Sequence, residues 1–172
     1  MLQGDSPNPT ELVTATAFRS VLAEFVSGVT VVTAEWQGVA HAMTATAFCS
    51  VSLQPPLVLV CVGRSSRFHA AITGAGRWGI SLLSDDQGPL ARHFSHKGRE
   101  LSTQFAGIDT VPGPYSGAPL LTGARGWLDC TTHAVHDGGD HTIVVGRVLH
   151  ASRAESAERP LTYFRGGYSD GA

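Results

Sequence analysis

Three strand-like runs follow one another with no space for a helix between them. VTVVTAEW (residues 29–36) is rich in β-branched residues, and Gln37-Gly38 then signals a turn. HAMTATAFCSVS (residues 41–52) comes next, then Pro55-Pro56, then the continuously apolar LVLVCV (residues 57–62). Parallel neighbours need a crossover of a dozen or more residues. Segments this close together must therefore pair antiparallel.

The remaining chain repeats the pattern. Trp78–Ser84, Arg125–His136 and His141–His150 are strand-like, and HDGGD between the last two is a hairpin signal. Helical spacing occurs over residues 14–26 (Phe18, Val21, Leu22, Phe25, Val26), with Gly28 placed to stop it. FHAAIT, capped by Ser66 and ended by Gly74, and residues 85–95 read as two further short helices. Residues 106–119, rich in Gly and Pro, read as a long loop, a class of segment that is often functional. Six or seven strands against two or three short helices predict a mainly β fold, an antiparallel barrel with helices packed outside. A chain of 172 residues fits one domain, residues 14–172, behind a mobile arm at residues 1–13.

Composition narrows the partners. The net charge is −2 with no Lys/Arg run, which argues against nucleic acid. No apolar stretch reaches the roughly 18 residues of a membrane span, and the N-terminus lacks the pattern of a signal peptide. Charged residues make up only 15% of the chain, which predicts that a second subunit covers part of the surface. Cys49, Cys61 and Cys130 are odd in number and far apart, and read as buried free thiols in a reducing cytoplasm.

In residues 41–53 one parity is apolar (Met43, Ala45, Ala47, Cys49, Val51, Leu53). The other carries Thr44, Thr46, Ser50 and Ser52, with Phe48 as the exception. A merely solvated face would carry Lys, Glu or Arg. Short hydroxyl donors in a groove suit a flat heteroaromatic ligand with carbonyl oxygens along one edge, such as a flavin. After LVLVCV, GRSSR opens a helix; its free N–H groups, Ser65, Ser66, Arg64 and Arg67 suit a phosphate ester, the alternative being an ordinary capped helix with solvated arginines. HKGRE adds the only local cation cluster. The pairs His93/His96 and His133/His136 lack a convincing third metal ligand. No G-x-S-x-G elbow, no G-x-G-x-x-G following a strand and no P-loop occurs.

Taken together, VSGVTVVTA, AMTATAFCSVSLQPPLVLVCV, SS, GGDHTIVVGRV and PLTYFRGGY resemble, in order, the flavin reductase family. These are NAD(P)H:flavin oxidoreductases that supply reduced flavin to two-component monooxygenases. The resemblance implies an FMN-binding split β-barrel of Greek-key-like antiparallel type, usually a homodimer with flavin near the subunit interface. It implies that Thr44, Ala45, Thr46 and Ala47 line the isoalloxazine, and that Ser50, Leu53, Pro55, Pro56 and Leu57 continue around ring and ribityl chain. It further implies that Cys61, Val62, Gly63, Arg64, Ser65 and Ser66 reach the phosphate, and that Phe94 and Lys97 meet the phosphate or adenine side. Gly139, Asp140 and His141 resemble the nicotinamide signature, and Tyr168 the tail aromatic near it. His141 is expected to position the nicotinamide. The chain departs from the family pattern at Val26-Ser27, where a Pro-Thr pair is frequent, at Ala47, which lacks a hydroxyl, and at Gly63, where a polar side chain is frequent. FAD or FMN would then be a substrate reduced by NADH (or NADPH), with NADH favoured. A tightly bound-FMN oxidase of the pyridoxamine-phosphate type is one alternative, though that class carries more basic residues. A non-enzymatic flavin-binding protein is another, but it would lack the GGDH signature.

Overall fold

The computed structural model describes residues 13–155 and 158–169; most of the expected N-terminal arm lies outside them. In chain order the elements are α1 (Ala15–Leu22), β1 (Ser27–Gly28), β2 (Thr30–Trp36), β3 (Val39–Ala45), β4 (Phe48–Leu53), β5 (Pro56–Gly63) and α2 (Arg67–Ala75). There follow β6 (Arg77–Leu82), a 3-10 turn (Asp85–Gln87), α3 (Gly88–Ser95), β7 (Thr110–Pro112), β8 (Pro119–Leu121), β9 (Gly126–Gly138), β10 (His141–Arg153), β11 (Thr162–Phe164) and β12 (Gly167–Tyr168).

Seven strands form one antiparallel sheet in the order β3-β2-β6-β9-β10-β5-β4. Laid flat, its outermost strands would stand roughly 29 Å apart at the usual inter-strand spacing. Yet β3 and β4 are joined by Thr46 and Ala47 alone, a link that spans roughly 11 Å. The sheet must therefore roll into a barrel. Its end strands meet without pairing, so the barrel is split along that seam, as the sequence predicts.

The predicted single strand over residues 41–53 is thus two strands. β3 pairs with β2 (Val31 opposite Thr44), and β4 pairs with β5 (Phe48 opposite Val60). The apolar parity is not a buried face throughout. Ala45 is in the core, whereas Val51 is 49% and Leu53 90% exposed.

Two apolar clusters hold the barrel together. Val32, Ala34, Val58, Val60, Val62, Trp78, Ile80 and Val144 fill the interior with Phe68 and Ile72 of α2. Val29, Val31, Leu83, Phe94, Leu121 and Leu161 form the second cluster, under α3. Alternate residues of β2 serve the two clusters, which is why the strand is buried almost throughout. β5 behaves differently. Val58, Val60 and Val62 are buried, but Leu57, Leu59 and Cys61 between them are only half-buried, so the run is not covered on both faces.

Two helix expectations and one loop expectation change in detail. Thr14 Oγ1 caps α1 by accepting from the Ala17 amide, but the helix stops at Leu22 rather than Val26 and buries none of its residues. Phe18, Val21, Leu22 and Phe25 stand 53–73% exposed. α2, capped by Ser66, runs past Gly74 to the left-handed Gly76 (φ +66°). Residues 106–119 are not all loop, because β7 pairs with β8. The tip between them is pinned when the Tyr115 and Ser116 amides donate to buried Asp129 Oδ2 at 2.7 and 3.2 Å. None of its residues lines either hollow described below.

Candidate active site

A cleft of about 930 Å³ opens where three segments converge: the end of β3, the β5–α2 turn with the β9–β10 turn beside it, and the C-terminal end of α3. It is lined by Met43 and Thr44, by Gly63–Phe68, by Phe94–Arg99, and by Asp140 and His141.

The floor comes from the β5–α2 turn. β5 delivers its last pair at Gly63, opposite His141, and the Ser66 amide turns back to the Gly63 carbonyl at 2.9 Å. Ser66 Oγ takes the Phe68 amide as helix cap. The amides of Ser65 and Arg67 find no backbone acceptor, which leaves two unpaired N–H groups at a helix start.

One wall is the β9–β10 hairpin, whose two-residue turn is Gly139-Asp140. Gly139 has φ +76°, a conformation that favours glycine. His141 Nδ1 donates to Asp140 Oδ1 at 2.7 Å, and this bond is the main reason the Asp140 carboxyl sits below its ordinary range. A Cβ built on Gly63 would lie 3.6 Å from His141 Nε2, so the imidazole lies over that glycine.

The opposite wall is the end of α3. Thr44 Oγ1 donates to the Ala91 carbonyl at 2.7 Å and pins α3 to β3. Arg99 donates to the carbonyls of Phe94, His96 and Ala42 at 2.5–2.8 Å, with its guanidinium 5.5 Å over the Phe94 ring. Burial, reinforced by Arg67, lowers the Arg99 pKa. His41, beneath this wall, is likewise pushed down by burial and then by Arg67.

The sequence-predicted residues do not all meet in one place. Thr44, Gly63, Arg64, Ser65, Ser66, Phe94, Lys97, Asp140 and His141 meet in the cleft. Thr46, Ala47 and Cys61 line instead a neighbouring groove of about 430 Å³, with Leu22, Phe25, Phe48, Cys49, Leu59 and Tyr163. Ala45 and Val62 face the core. Ser50, Leu53, Pro55, Pro56 and Leu57 belong to the β4–β5 hairpin and line neither hollow. Gly139 forms the turn behind the cleft, and Tyr168 packs on Tyr163 with ring centroids 5.2 Å apart. The stripe of hydroxyls is therefore divided: Thr44 faces the cleft, Thr46 the groove, and Ser50 neither.

Sequence reasoning did not single out Met43, His96 or Arg99, although HKGRE stood out as a cation cluster. Its thiol reading also needs correction, because Cys49 is exposed and Cys61 only half-buried. Burial, then neighbouring Cys49, raises the Cys61 pKa, while buried Cys130 is pushed up to about 12. His93 is occupied, its Nε2 donating to the Gln104 carbonyl at 2.8 Å.

The donor set fits a flavin nucleotide. Helix-start amides, Ser65 and the Lys97 ammonium suit a phosphate, while Met43 and Phe94 offer apolar surface. Comparison with known proteins agrees. The model of the "Flavin reductase like domain" matches residues 22–172. An NADH-dependent FAD reductase of Streptomyces globisporus is 44% identical over 153 residues, covering 87% of this chain and 81% of its own. The reductase subunit HsaB of a flavin-dependent monooxygenase of Rhodococcus jostii is 38% identical over 166 residues, covering 96% and 83%. Among solved structures, the Streptomyces globisporus NADH:FAD oxidoreductase in complex with NAD and FAD fragments superposes with a TM-score of 0.84 at 40% identity, covering 92% of this chain and 95% of that one. With the split barrel, the phosphate-type cradle and the Gly-Asp-His turn in place, this chain belongs to the flavin reductase-like family.

Proposed function

We propose that this chain is an NAD(P)H:flavin oxidoreductase that reduces free FAD or FMN and supplies the reduced flavin to a partner monooxygenase. One observation carries the reading: a single cleft sets unpaired phosphate donors (Ser65, Lys97 and two helix-start amides) beside the Asp140–His141 hairpin. When both cofactors are bound, a hydride passes from the reduced nicotinamide to the flavin. The protein's task is then orientation rather than acid–base chemistry. The Ser65 and Arg67 amides, the two serines and Lys97 hold the flavin's phosphate end. Met43 and Thr44 support the ring from the cleft side, and Thr46 and Ala47 from the groove side. Asp140 holds the His141 Nδ1 proton, which leaves Nε2 free to receive a hydrogen bond from the nicotinamide carboxamide or ribose.

NADH is the favoured donor, as in the name of the S. globisporus reductase. The HsaB relative, a monooxygenase reductase subunit, supports a monooxygenase partner. We also place the protein in the cytoplasm as a homodimer, with a second copy covering the apolar groove of α1 and β4. Among the described residues no helix is long and apolar enough to cross a membrane.

Mixing the protein with NADH and excess FMN or FAD tests the reading. NADH should disappear only when flavin is present, and dialysis should strip flavin from the purified protein. Stoichiometric flavin surviving extensive dialysis would favour a bound-FMN oxidase. The His141→Ala variant should raise KM for NADH more than it lowers kcat; equal losses in kcat and kcat/KM would contradict a positioning role.

A further inference from the structure

The cleft has four Lys or Arg residues, Arg64, Arg67, Lys97 and Arg99, and three of them are already engaged. Arg67 Nη1 donates to the Arg99 carbonyl at 2.6 Å, and Arg99 spends its guanidinium on three carbonyls. Arg64 is tied most completely. Its amide donates to the Asp140 carbonyl at 3.0 Å and its Nε to the Gly139 carbonyl at 2.9 Å. Its Nη2 lies 3.3 Å from Asp137 Oδ1, which also accepts the Gly139 amide at 2.7 Å. Those contacts, the Gly139 amide first and Arg64 second, hold the Asp137 carboxyl below its ordinary range. One residue thus grips both carbonyls of the turn and the carboxylate that closes it. The next residue along is His141.

We propose that Arg64 is a positioning residue for His141, acting through the Gly139–Asp140 turn, and that the cleft's phosphate charge falls to Lys97. The assignment rests on the flavin reductase reading above. Arg64 and Asp137 side chains are 46% and 81% exposed, so their pairing contributes little to global stability. It restricts the turn, and a loosened turn must be reordered each time the nicotinamide binds.

The test uses the full chain with NADH, FMN and riboflavin, which lacks the phosphate. Arg64→Ala and Asp137→Ala should each raise KM for NADH roughly three- to tenfold, and the double variant should be no worse than either, as coupled residues behave. Melting temperature, kcat and the preference for FMN over riboflavin should hold. Arg64→Lys should not rescue, because one ammonium cannot span the Gly139 carbonyl and Asp137 together.

The assignment is overturned if Arg64→Ala weakens FMN but not riboflavin, if Asp137→Ala tightens FMN by freeing the guanidinium, or if NADH KM is unmoved. A wild-type protein that fails to oxidise NADH with either flavin would instead bring down the flavin reductase reading itself.

Discussion

The two hollows of this barrel lie side by side and are finished to different degrees. In the cleft, several polar side chains are tied to the fold: the Arg99 Nη atoms on three carbonyls, Arg64 on the hairpin turn, Thr44 on α3. In the groove, Leu22, Phe25, Phe48 and Leu59 gather around thiols and a tyrosine, and Phe25 remains 73% exposed. A contiguous apolar surface of this kind marks an interaction site. The cleft's polar framework is supplied by one chain, whereas the groove, on our proposal, is completed by a second copy.

The harshest test acts in the barrel interior that carries both hollows. A methyl group on Gly146 would stand 2.3 Å from Trp78 Cζ2 of the interior cluster. Gly146→Ala should therefore cost about 3 kcal/mol in urea unfolding, since a packed core resists insertion. No loss would mean that the barrel interior is pliant. Next comes the groove alone. Phe25→Asp should weaken self-association roughly thirtyfold or more in sedimentation equilibrium, as a buried aromatic anchor would. A wild-type chain that sediments as a monomer would remove the cover altogether. In the cleft alone, Lys97→Ala should raise KM for FMN about tenfold and leave riboflavin unmoved, the loss expected of one charge-assisted phosphate contact. The smallest effect concerns His41, 7% exposed and lowered in pKa by burial. Its unfolded form takes up a proton near pH 6.5 before the folded form does. Stability is thus fully present above that pH and falls as the pH drops toward the lowered folded value. His41→Gln should flatten that acid limb in thermal melts.

Local signals were legible in the sequence. The Gly139 turn, the Ser66 cap and the antiparallel succession all depend on neighbours within a few residues. The break at Thr46-Ala47 was hidden for a physical reason: a two-residue interruption preserves a period of two, so one long strand and two short ones read alike. The spacing of α1 revealed an apolar face and not what covers it. Which of the cleft's cations are already tied was also invisible, because Asp137, the partner of Arg64, stands 73 residues further along the chain.

The dipeptide Thr46-Ala47 carries one last consequence. It joins the two strands that flank the seam, and it stands between Thr44 in one hollow and Phe48 in the other. The dipeptide itself lines the second hollow and Thr44, two residues back, lines the first, so both rooms hang on one short stretch of chain.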